Sequence, residues 1–213
     1  MDGAARIFRG GRDVPACFPS PFPVPFSHLR MHRPREKGSG TMRIVFVSDI
    51  HGVPSTLAAA LEQGEQLGFD RLVLLGDLIH GLDDGPCRYD PPKVVKILNG
   101  YRDKITAVRG NCDEDEDQRL FAFPMLRDYT VLDADGERFF LTHGHLWNEY
   151  CLPPIGMGTV LAHGHTHLAV LTKLACGITL FNPGSISRPK GGQKRTFGYW
   201  DGHTLSHHSI DHA

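Results

Sequence analysis

"MRIVFVSDIHG", residues 42–52, decides the fold. Its centre, Ile44 to Val47, is apolar at every position and rich in β-branched side chains. It is too short for a helix and has no polar alternation, so it predicts a strand buried on both faces. The run then stops on Ser48, Asp49, His51 and Gly52, a polar strand end. Two later stretches repeat the arrangement: "RLVLLGD" (71–77) and "KITAVRGN" (104–111). Between them lie two helical segments. "PSTLAAALEQGEQLG" (54–68) puts Leu57, Ala60 and Leu61 on one side, with Ser55 expected as N-cap and Gly68 at the end. "PPKVVKILNG" (91–100) opens on prolines and closes on glycine. The order is βαβαβ, with parallel strands whose C-terminal ends carry polar residues, where open α/β sheets place their sites.

The second half is mostly strands. A hairpin is expected around Asp135-Gly136, a strand in "GTVLAHGHTH" (158–167), and hairpins turning at Gly177 and at Asp201-Gly202. The whole predicts two sheets with helices outside, without internal repeats.

Residues 1–41 are unlike the rest. They hold six of the 15 prolines and 7 Lys+Arg against 3 Asp+Glu, whereas residues 42–213 carry 16 against 21. "FPSPFPVPF" favours extended polyproline-like chain, and no continuous apolar segment of a secretory signal is present. We expect a disordered extension over 1–41, or a start at Met42, followed by one domain over 42–213. No apolar run approaches the roughly 20 residues of a membrane span. The net charge of -1 gives no general reason to expect nucleic acid. The five cysteines are scattered and odd in number, so no disulfide framework is expected and a reducing cytoplasm is the default.

Each strand end carries metal-ligand chemistry: Asp49-x-His51, Gly76-Asp77, Gly110-Asn111, Thr142-His143 and His165-x-His167. Alternation along a strand would point Asp49 and His51 the same way, and likewise His165 and His167. Any one piece alone reads as a solvated strand end or a helix cap. Five at consecutive strand ends read as a site. They offer three carboxylate or amide oxygens and four imidazoles. A structural zinc needs four ligands and favours thiolates. Seven mixed N and O donors suit two divalent ions sharing a bridge, which can clamp a phosphoryl group and lower the pKa of a water between them.

The ordered set "SDIHG", "LGD", "VRGNCD", "LTHGH", "GHTH" and "FNPGSIS" with "PKGG" resembles the calcineurin-like metallophosphoesterase superfamily, and within it the YfcE-like bacterial phosphodiesterases. The resemblance runs from Met42 to about Ile210. It implies a four-layer α/β/β/α sandwich of two mixed sheets flanked by helices. It also implies a dimetal phosphodiesterase that hydrolyses small phosphodiesters by attack of a metal-bridging hydroxide. Carried over, Asp49, His51 and His167 would hold one ion, Asn111, His143 and His165 the other, and Asp77 would bridge. The donors admit Mn, Fe or Zn; the resemblance favours Mn and tolerates Fe, Zn or Ni.

The turn departs from the Gly-Asn-His of many relatives by placing Cys112 after Asn111. A thiol of pKa about 8.5 supplies no cation to substrate. That points to good leaving groups or promiscuous diesters, with Cys112 touching substrate as a weak donor. His80 is a further candidate catalytic residue, and Arg109 and His145 are candidate substrate contacts. Arg188 or Lys190 could also meet phosphate. Asn182, Gly184 and Ser185 should shape a loop beside the metals, and Asp113 either orders its turn or a neighbouring histidine, or is a solvated acid. His163 is expected to be structural, and His203, His207, His208 and His212 surface residues. The expected partner is a small phosphodiester, with a homo-oligomer left open. The competing readings are a weak or inactive scaffold resembling the retromer subunit of the same fold, and a phosphomonoesterase.

Overall fold

A computed structural model describes residues 40–81 and 88–211. The expected extension over 1–41 lies outside them except for its last two residues, as does His212. β1 (Ile44–Val47) sits at the centre of a five-stranded sheet. It pairs parallel with β2 (Arg71–Leu74), which pairs parallel with β3 (Ile105–Ala107). On its other side it pairs antiparallel with β9 (Thr196–Trp200), and β9 with β10 (Leu205–Ser209). The second sheet has the order β4 (Tyr129–Ala134), β5 (Glu137–Thr142), β6 (Thr159–Ala162), β8 (Thr179–Pro183), β7 (Ala169–Lys173). Both sheets are mixed. All three expected hairpins form, including the one with Asp135 at φ 51°.

The apolar run of β1 divides between two cores, as a strand covered on both faces must. Val45 and Val47 pack under α1 (Pro54–Leu67) and α2 (Pro91–Gly100), against Leu57, Leu61, Val94 and Leu98. Ile44 and Phe46 face the other sheet, against Phe139, Val160 and Phe181. Phe46 lies edge-on to Phe181 with centroids 5.3 Å apart. Truncating such a fully buried ring to alanine costs about 3–5 kcal/mol.

Both helices cover the first sheet. The outer face of the second sheet carries no α-helix among the described residues. Phe140, Leu161, Ile178 and Leu180 are covered there by Trp147 and Ile155 of the 144–158 segment. The N-cap of α1 is Val53 and not Ser55, and no side chain caps it. Pro54 takes the first helical position, where its fixed φ fits and its missing N–H costs nothing, so the helix begins two residues too early for Ser55 to cap it. Asp90 caps α2, its carboxylate accepting from Lys93 N–H at 3.2 Å. Cys112 and Cys176 are free, but Cys151 is disulfide-bonded. Spacing along the chain, the basis for expecting no disulfides, does not report which thiols meet in space.

Candidate metal centre

The first sheet ends before its ligand residues begin. β1 stops at Val47, and Asp49 and His51 follow in left-handed backbone at φ 55° and 48°. Asp77, His165 and His167 adopt the same region, at 54°, 67° and 61°. Successive left-handed turns, not strand alternation, therefore aim these side chains inward. Such conformations cost on the order of 1 kcal/mol or more each and persist only when the surroundings enforce them. Here they do. Ile50 and His51 N–H both donate to the Asp77 carbonyl at 3.0 Å, and Gly52 N–H donates to Leu78 at 3.1 Å. The Ser185 and Ser187 hydroxyls donate to the Asp49 carbonyl at 2.9 and 2.7 Å.

The side chains converge in two groups. Asp49 Oδ1 lies 3.3 Å from His167 Nε2 and 3.8 Å from His51 Nε2. Asn111 Oδ1 lies 2.9 Å from His143 Nε2 and 2.8 Å from His165 Nδ1. Asp77 Oδ2 stands between the groups, 3.7 Å from His51 Nε2 and 3.5 Å from His143 Nε2. The groups Asp49/His51/His167 and Asp49/Asp77/His143 each bring their donor atoms within 4.8 Å of one another.

Tautomers are set from behind. Nδ1 of His51, His143 and His167 meets the carbonyls of His80, Leu75 and Arg188 at 2.7, 2.6 and 2.7 Å. A carbonyl only accepts, so each Nδ1 carries a proton and each ring turns its Nε2 inward. Asp49 Oδ2 accepts from Ser48 at 2.7 Å, while Oδ1 is buried without a hydrogen-bond partner. A buried anionic oxygen facing imidazole lone pairs is costly unless a positive charge joins it. Burial pushes the Asp77 carboxyl up, but His143 together with the Cys112 N–H and His51 outweighs it and holds Asp77 well below the usual range. Burial likewise lowers His143, and Asp77 overrides it, raising that ring to about 9. The pocket thus draws in positive charge, and the oxygen and nitrogen donors fit divalent cations.

A calcineurin-like phosphoesterase superfamily domain matches residues 42–204. The chain belongs to the calcineurin-like phosphoesterase superfamily. It is 42% identical over 167 residues to the phosphodiesterase YfcE of Escherichia coli K12, spanning 78% of this chain and 90% of YfcE. The solved structure of that E. coli phosphoesterase aligns with a TM-score of 0.76 over 80% of this chain and 94% of the other. An archaeal phosphodiesterase shares the fold at 20% identity and a TM-score of 0.57, over 78% of this chain and 98% of the other. So does a Vps29 variant from Entamoeba histolytica, at 17% and 0.51, over 78% and 97%.

The seven expected ligands of this phosphoesterase-family chain stand together. The other candidates are placed differently. The His80 imidazole donates to buried Asp117 at 2.9 Å, and its contact with the ligand set is its carbonyl on His51. The Arg109 guanidinium is engaged by Asp115 at 2.8 Å and by the Asp113 carbonyl at 3.2 Å. His145 does lie beside the second group, its ring centred 5.4 Å from that of His143. Cys112 is half-buried, and its thiol is pushed up to about 12 by burial and by the charges of Asp77, Asp113 and Asp49, so it stays protonated at neutral pH. Lys190 N–H donates to the His167 carbonyl, and Arg188 supplies the carbonyl that orients His167. His163 is buried. His207 reaches the Asn182 carbonyl at 2.7 Å and His208 stacks on Phe197, so neither is a plain surface residue. The Asn182 amide donates to Gly164 O at 2.8 Å and Thr166 at 3.0 Å, bracing the turn that presents His165 and His167.

Sequence reasoning missed Ser48, Ser187 and Asp117. Ser187 and Asp117 act on groups distant in sequence, the Asp49 carbonyl and the His80 ring, and composition carries no signal of that. For Ser48 the adjacency to Asp49 was the available hint. Glycine at 110 serves close approach: a Cβ there would sit 2.1 Å from Asp77 Oδ1.

Proposed function

We propose that this chain is a dimetal-dependent phosphodiesterase acting on small phosphodiesters. In this reading Asp49, His51 and His167 hold one divalent cation and Asn111, His143 and His165 the other, with Asp77 shared. The position of Asp77 carries the proposal. Its Oδ1 is tied to the Cys112 N–H at 2.9 Å, while Oδ2 faces histidines of both groups. The 42% identity to a phosphodiesterase over most of both chains supports the substrate class.

When bound, two divalent cations supply Lewis acidity at phosphoryl oxygens and a water of lowered pKa. The chain's own residues do the rest. Three rings locked by backbone carbonyls keep Nε2 available, and Ser48 fixes the orientation of Asp49. Cys112 offers a neutral thiol hydrogen at the turn, and nothing cationic in its place. Leaving groups therefore receive a weak hydrogen bond only, which fits diesters with stable leaving groups. Arg109 and His80, held by Asp115 and Asp117, serve the turn and not the substrate, whereas His145 borders the substrate side. Mn(II) as the native ion and a cytoplasmic location belong to the same reading.

The test is hydrolysis of bis(p-nitrophenyl) phosphate with Mn(II), before and after chelation. Turnover indifferent to metal refutes the proposal. Faster turnover of p-nitrophenyl phosphate selects a phosphomonoesterase instead. Metal binding with neither activity selects a scaffold.

A further inference from the structure

We infer that Asp113 is a positioning residue that fixes the separation of the two cation half-sites. The inference rests on the dimetal reading above. In "CDEDED", residues 112–117, the acids look alike, yet Glu114, Asp115 and Glu116 are exposed while Asp113 is 3% exposed. A buried carboxylate needs donors, and Asp113 finds three, all from the backbone. Oδ2 accepts from Asp77 N–H at 2.9 Å and Gly110 N–H at 2.7 Å, and Oδ1 accepts from Leu78 N–H at 2.9 Å. One side chain thus joins the turn after β2, which presents Asp77, to the turn after β3, which presents Asn111.

The two turns differ in their other braces. The Asp77 carbonyl accepts from Ile50 and His51, and the Leu78 carbonyl from Gly52. That turn stays anchored to residues 50–52 if Asp113 is lost. The β3 turn is anchored before the site, by Val108 N–H on Leu74 and Arg109 N–H on Arg127. Beyond Gly110 its remaining tie to Asp77 is the Cys112 N–H. Loss of Asp113 therefore releases Asn111 while leaving Asp77 in place. Asp49, His51 and His167 make no described hydrogen bond to residues 110–113. The damage falls on the ion held by Asn111, His143 and His165. A carboxylate that merely stabilised the fold would weaken both ions alike.

Asp113→Asn keeps the volume but sets an NH2 group against a backbone N–H. Mn(II) is titrated calorimetrically into wild type, Asp113→Asn, Asn111→Ala and the double variant, with electron paramagnetic resonance to separate coupled pairs from isolated ions. We expect two ions in wild type. In Asp113→Asn one ion stays within about threefold, the other weakens about 10- to 100-fold, and the coupled-pair signal gives way to that of isolated Mn(II). In the Asn111→Ala background Asp113→Asn adds nothing, because the donor it positions is already gone. Equal weakening of both ions, or additive losses in the double variant, overturns the inference. So does wild-type binding of both ions by Asp113→Asn. If that variant does not fold without metal, Asp113→Glu carries the test, since its extra methylene spreads the two turns and must produce the same selective loss. A wild type that binds fewer than two ions overturns the dimetal reading, and this inference with it.

Discussion

Gly110→Ala isolates the spacing between the β2 and β3 turns. The added Cβ would lie 2.1 Å from Asp77 Oδ1 and 2.2 Å from Asp77 N. An ordinary contact needs about 3.4 Å, so the turns must part by roughly 1 Å. Neither neighbour is the free end of a flexible side chain, and Gly110 is not among the positive-φ glycines, so backbone strain does not confuse the result. Ligand distances tolerate only about 0.2 Å, and a misplacement of about 1 Å costs on the order of 100-fold in rate, or about 2.7 kcal/mol of barrier. The assay is Mn(II)-dependent diester turnover alongside thermal melting in EDTA. Gly100→Ala is the control, since a Cβ there meets nothing within 4 Å and alanine favours the helix by about 0.5–1 kcal/mol. We expect Gly110→Ala to melt cooperatively and turn over about 100-fold slower, with Gly100→Ala fully active. Wild-type turnover in Gly110→Ala would refute the argument that this contact sets the site.

Asp77→Ala should lose metal and nearly all turnover, whereas Cys112→Ala should lose about tenfold or less; equal losses in parallel kinetics would restore the thiol to a central role. Mn(II) at about 100 times its Kd should stabilise the fold by about 2.7 kcal/mol, or roughly 5–11 °C in melting temperature, and a melt indifferent to Mn(II) would count against the centre. In EDTA, stability should fall as pH drops through about 6.5. Burial holds His145, His163, His165 and His167 below that value, so the unfolded chain gains protons that the folded chain refuses. His143, raised to about 9, acts oppositely: its contribution is complete below 6.5 and is lost as pH rises through 9. Melting temperature in EDTA should therefore peak near neutrality, and a steady rise into acid would contradict these assignments.

The β1 run carried the fold because a strand buried on both faces has few other sequences. The ligands were legible because they stop apolar runs. The reason they converge was not. Asp and His tolerate left-handed backbone but do not demand it, so the turns at Asp49, His51 and Asp77 follow from long-range bonds such as His51 N–H to Asp77. The same holds for the acids of 112–117: Asp113 and Asp117 are buried because residues 77–80 lie against them, not because of anything local. His80 was found for the wrong atom, its carbonyl and not its ring facing the ligand set. His207 and His208 were assigned to the surface because the sequence does not show that they lie on Phe181 and Phe197.

Donors for each proposed ion come from loops of both sheets: Asp49 and His51 against His167, and Asn111 against His143 and His165. An ion so held is a clasp across the sandwich. Between the sheets, apolar packing around Phe46, Phe139 and Phe181 resists separation but not small sliding, and a few hydrogen bonds cross with it, such as those of Ser185 and Ser187 to the Asp49 carbonyl. Loading metal should therefore slow amide hydrogen exchange far from the centre, in β2 and β6 together, and removing it should let the two halves shear as separate leaves.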